Sequence, residues 1–158
     1  MREVMFRGKR LDNGEWVTGY YVHLHDSFKK KESHRIYIGY AEAELDGNEY
    51  LFYPDYFDVV PATVGQFTGR LDKNGKQIFE GDIVKEDLDG AIAVIAFGDY
   101  ASPFNSDEFT HNIGFYPKWE EKYRRRFRKD LGFYCIYGGV EVIGNVHDNP
   151  ELWKEEKA

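Results

Sequence analysis

The chain has 158 residues, 42% of them hydrophobic and 17% aromatic, which excludes whole-chain disorder and sets one or two small domains. A net charge of −7 argues against a surface that coats nucleic acid on all sides, because phosphate binding needs local positive potential. The single cysteine, Cys135, excludes an internal disulfide and a cysteine-cluster zinc site, and its place in an apolar run predicts a buried, inert thiol. Met1-Arg2-Glu3-Val4 leads straight into patterned sequence, and no apolar run approaches the ~18 residues of a membrane span. A cytoplasmic, reduced setting is therefore expected.

The abundant Tyr and Phe favour strands. Val4-Met5-Phe6 and Trp16–Val22 flank Arg10-Leu11-Asp12-Asn13-Gly14, and Asn-Gly is the preferred pair where a hairpin turn needs positive φ. Lys29–Ser33 is a charge run and reads as a loop that carries on into the His34 segment. Ile36-Tyr37-Ile38 and Tyr50–Tyr53 are short strands. A boundary falls near Val59-Val60-Pro61, dividing an N-terminal α+β region, 1–58, from a second region, 59–149.

Beyond it, Arg70-Leu71-Asp72-Lys73-Asn74-Gly75 repeats the first turn signal and predicts a second hairpin. Asp82–Glu86, the doubly apolar Ala91–Phe97, Leu131–Tyr137 and Val140–Val146 read as strands, the last two joined at Gly138-Gly139. Short strands with tight turns in about 85 residues point to a small barrel. Within 100–130, the stretch from Pro117 to Asp130 has helical spacing: Trp119, Tyr123 and Phe127 fall four apart, and Glu120–Arg124 and Glu121–Arg125 are favourable pairs. Asn149 and Pro150 then open a short helical tail, 150–158.

Four phrases, taken together, resemble the YopX family. They are Phe6-Arg7-Gly8-Lys9 with Gly14-Glu15-Trp16-Val17, Thr63–Gly69, Asp72–Val84, and Val142–Leu152. The resemblance implies a phage or prophage origin, an N-terminal subdomain that self-associates, and an SH3-like barrel at the C-terminus, here with an inserted helix. It supplies no catalytic residues. The family phrases read as scaffold, and none of them falls between Tyr100 and Asp130.

Candidate chemistry is sparse. Segment 118–129 is basic, so Lys122, Arg124, Arg125 and Arg128 are candidates to grip phosphates, with Trp119 stacking a base. Packing of the rings on the barrel, with the charges in water, competes with that role. His23-x-His25 puts two imidazoles on one strand face, but with His34 read into a loop there is no third ligand, and no metal is expected. The chain has no nucleophile elbow, P-loop or dinucleotide fingerprint, so neither enzyme activity nor a cofactor is expected. Among Tyr20, Tyr21, Tyr37, Tyr40, Tyr53, Tyr56 and Phe57, whichever are exposed suit an interface. The sequence thus points to a homo-oligomer that binds an unidentified host or phage protein, with nucleic acid as the alternative partner.

Overall fold

A computed structural model describes residues 4–28, 30–45, 49–103, 109–120 and 130–153. They are mostly strand, in antiparallel pairs, and they divide into two compact units, 1–66 and 67–158. The division falls a few residues beyond the boundary read at Val59–Pro61. No helix among the described residues is long and apolar enough to cross a membrane.

Unit 1 holds β1 (Phe6–Lys9), β2 (Trp16–Asp26), β3 (Lys31–Leu45) and β4 (Glu49–Asp58), in the order β4-β3-β2-β1. The Arg10–Glu15 turn closes the β1–β2 hairpin, with Gly14 at φ +75°, as its Asn-Gly pair predicts. The start of β5 (Gly65–Leu71) pairs with the free side of β1, through Phe6–Gln66 and Arg7–Gly65. Ile36 and Val59 are fully buried and meet across Gly8, whose missing side chain leaves them room.

Strand alternation sorts the rest of this sheet. Gly19, Tyr21, His23 and His25 of β2 share one face with Ile36, His34 and Glu32 of β3, while Trp16 and Tyr20 share the other with Tyr37. The charge run does not form a loop throughout. Lys31, Glu32 and Ser33 belong to β3, because pairing with Asp26, His25 and Leu24 respectively satisfies their backbone whatever their polarity.

In unit 2, β5 turns back into β6 (Gln77–Phe79) through Asp72–Gly75. A second sheet has the order β10-β7-β8-β9, from β7 (Asp82–Glu86), β8 (Ile92–Pro103), β9 (Phe109–Trp119) and β10 (Val140–Asn145). Ile78, Val84, Ala93, Ile95, Val140 and Val142 form the core. Both sheets are open, and the described strands close no barrel.

Three expected elements in unit 2 are corrected. Pro117, Lys118 and Trp119 do not start a helix but end β9, paired with Ile95, Val94 and Ala93. Pro117 is tolerated because β9 lies at the sheet edge, where a missing N–H costs no ladder bond. Tyr123 and Phe127 lie outside the described residues. Leu131–Tyr137 is not a strand either. It forms α1 (Leu131–Phe133) and a following π-helical turn, Tyr134–Gly138. The Asp130 carboxylate accepts the Phe133 N–H at 2.7 Å, and that cap decides a run whose apolar pattern suits strand and helix alike. Finally, Pro150–Leu152 is a single 3-10 turn in which Asn149 supplies no side-chain cap; 154–158 lie outside the described residues.

Candidate functional site

The sequence candidates for nucleic-acid contact do not assemble into a site among the described residues. Trp119 is only 6% exposed and packs edge-to-face on Tyr134, with ring centroids 4.9 Å apart. It is a core residue and cannot stack a base. Lys122, Arg124, Arg125 and Arg128 lie outside the described residues.

Unit 1 carries two built surfaces, one on each face of its sheet. On the first face, the pairing of β2 with β3 sets His23 opposite His34 and His25 opposite Glu32. The imidazoles of His23 and His34 stack with centroids 4.3 Å apart and planes 9° from parallel. Glu32 sits between the two β2 histidines, with one carboxylate oxygen 3.1 Å from His23 Nε2 and the other 3.7 Å from His25 Nδ1. The Tyr21 hydroxyl lies 2.6 Å from His34 Nδ1, and burial pushes the Tyr21 phenol up, so it stays protonated. His34 and Glu32 also flank a cleft of about 230 Å³ with Leu11, Val59 and Pro61.

His34 therefore belongs to a strand, contrary to the loop read from sequence, and it supplies the third donor that the His-x-His pattern lacked. Glu32 and Tyr21 escaped notice because nothing local marks them. A signal was present: His23-x-His25 and Glu32-x-His34 stand symmetrically about residues 28 and 29, so a hairpin turning there must bring them together.

On the opposite face, Tyr20, Tyr37 and Tyr56 occupy directly opposed positions on β2, β3 and β4. The Tyr37 and Tyr56 rings are 5.2 Å apart, and the Arg35 guanidinium lies 4.2 Å from the Tyr56 ring centre while donating to Asp58 at 3.0 Å. Tyr20 is 58% exposed, Tyr56 37% and the neighbouring Tyr40 77%. Tyr21, Tyr37 and Phe57 are half-buried. A cleft of about 380 Å³ opens beside Tyr56, lined also by Leu11, Asp12, Phe57 and Asp58. Trp16 extends the aromatic face, with Arg7 and Lys9 over its ring at 4.7 and 5.6 Å.

In unit 2, Cys135 is half-buried against the core, and burial pushes its thiol up, away from the thiolate that reacts. Lys73 bridges Asp87 at 2.6 Å and Glu141 at 2.9 Å, an ion-pair cluster between the β5–β6 turn and the sheet.

A family model described as YopX protein matches residues 5–154. Among solved structures, the crystal structure of protein EF1440 from Enterococcus faecalis is similar, at 23% identity and a TM-score of 0.50, covering 98% of this chain and all of that one. At that identity the likeness speaks to the fold alone. No curated protein matches the chain.

Proposed function

This chain belongs to the YopX family, and we propose that it is a non-enzymatic binding module that assembles with copies of itself through the tyrosine face of unit 1. The observation that carries the reading is the row Tyr20–Tyr37–Tyr56 on a sheet face, whose outer members, with Tyr40 beside them, stand open to water around a half-buried Tyr37. Tyrosine joins a large apolar area to a polar tip at low entropy cost, and it is concentrated where proteins meet. A single exposed tyrosine needs no explanation, but a row of them, rimmed by Arg35 and Asp58, does.

The phage or prophage setting and the cytoplasm of a host bacterium also belong to this reading, on the strength of the family resemblance. So does an SH3-like architecture for unit 2, which is supported by Ile78 of β6 sharing one core with Val84, Ile95 and Val140 of β7, β8 and β10. A host or phage protein is the further partner the same face suits.

The test is the mass of the purified chain in solution, by light scattering, together with its absorbance ratio at 260 and 280 nm. The expected result is a multiple of 18.5 kDa that falls towards one chain in a Tyr20→Ser, Tyr56→Ser double variant, with a protein-like absorbance ratio throughout. A mass of one chain at the highest soluble concentration overturns the self-association. Co-purifying nucleic acid instead supports the alternative partner, through the basic residues of 118–129.

A further inference from the structure

We propose that His23, Glu32 and His34 form a binding site for a divalent transition metal of the zinc class, which ties β2 to β3. The site goes beyond the self-association reading and lies on the opposite sheet face. His23 and His34 come from directly opposed strand positions, where side chains start ~5 Å apart, and Glu32, opposite His25, reaches His23 diagonally on the same face. One ligand atom from each of the three residues falls within 4.8 Å of the others. That is a cluster already gathered by the fold.

The chemistry of the donors selects the ion. Two imidazoles and one carboxylate suit zinc, nickel or copper, whereas calcium and magnesium take six or more oxygens. Tetrahedral coordination at ordinary zinc–nitrogen distances places two ligand nitrogens roughly 3.3 Å apart. The His23 and His34 rings, with centroids 4.3 Å apart, must tilt together by a small side-chain rotation. His23 stands nearly half exposed, so this rotation disturbs no core packing. Two neutral imidazoles and a carboxylate leave one position for water or for His25, whose Nδ1 already lies 3.7 Å from Glu32.

The surroundings of His34 are those of an oriented ligand. Tyr21 occupies its Nδ1, which leaves Nε2 for the metal. A phenol both donates and accepts, so when Nε2 gives its lone pair to the metal, Nδ1–H donates to the Tyr21 oxygen and no bond is lost. A hydrogen bond on the far nitrogen is the usual way a metal-binding histidine is held. Tyr21 is thus a positioning residue, itself anchored by packing on Phe6 at 5.5 Å between ring centres.

The test titrates the full chain, without an affinity tag and after chelator treatment, with zinc chloride in a calorimeter. One saturable zinc per chain is expected, absent in a His23→Gln, His34→Gln double variant and weakened in Glu32→Gln. Tyr21→Phe should weaken it roughly 10- to 100-fold and alter the His34 tautomer signature in nitrogen-15 spectra. His111→Gln, and the Tyr20→Ser, Tyr56→Ser variant, should bind as the unaltered chain does, which separates this site from self-association. Nitrogen-15 spectra of the unaltered chain require no variant to fold: zinc should shift the ring nitrogens of His23 and His34 and spare those of His111 and His147. No saturable zinc, zinc retained by the double histidine variant, or equal competition by magnesium would each overturn the proposal.

Discussion

Asp72 shows how much one side chain can hold. It is only 7% exposed, and its carboxylate accepts three backbone N–H groups: Asn74 at 2.8 Å, Lys76 at 2.9 Å and Val142 at 3.0 Å. The first two fix the β5–β6 turn, in which Gly75 takes φ +81°, and the third clamps that turn to β10. Burial alone would push this carboxyl up, but the hydrogen bonds from Val142, Lys76 and Asn74, with the Lys76 charge, outweigh it and leave it below the ordinary carboxylate range. A depressed carboxyl stabilises the fold above its unfolded pKa, and that stability is lost as pH falls through the folded value, hence in the acid limb below about pH 4. Asp72→Asn leaves the Val142 N–H without its acceptor and should cost about 2 kcal/mol near neutrality. Urea midpoints should show the gap between this variant and the unaltered chain narrowing as the pH is lowered towards 3 or below. Lys73 behaves oppositely: the hydrogen bonds its ammonium donates to Asp87 and Glu141 hold it up to about 12, so its effect disappears only in strong base.

At the scale of elements, the β2–β3 hairpin places the histidine cluster, and its fit depends on Gly19. A β-carbon there would lie 2.2 Å from the Tyr37 carbonyl oxygen and 3.0 Å from Ile36, so any side chain forces the strands apart. Gly19→Ala should cost about 3 kcal/mol in thermal unfolding, the upper end of ordinary overpacking, and should loosen the His23–His34 stack. Nothing in the sequence marked Gly19, because the backbone that crowds it comes from β3. The turns were legible for the opposite reason: Asn13-Gly14 and Asn74-Gly75 carry their own conformational demand, and each closes a hairpin. His34 and Leu131–Tyr137 were misread where tertiary partners decide. Pairing across the sheet made a strand of a charged stretch, and one cap from Asp130 made a helix of an apolar one. Of the candidate site, the His23-x-His25 pair was visible, while Glu32, His34 and Tyr21 joined it only through strand register.

For the whole molecule, charge separates the two ways in which it could engage a partner. Each chain carries a net charge of −7, so copies that assemble must overcome mutual repulsion. Surface repulsion acts over roughly 10 Å at 0.1 M salt and shrinks as salt rises. The tyrosine face gains its energy from desolvated rings, which added salt does not weaken. Self-association should therefore strengthen between low and moderate salt, read as a rising mean mass in sedimentation equilibrium. A complex held by phosphates does the reverse, because each neutralised phosphate releases a counterion and binding falls steeply with salt. Charge removal on the rim provides the confirming arm. Asp58→Asn loses one negative charge and the ion-pair partner of Arg35 beside Tyr56 but keeps an acceptor oxygen, so it should raise the low-salt mass while leaving the high-salt mass nearly unchanged. A mean mass that drops as salt is added would move the function away from the tyrosine face and towards nucleic acid.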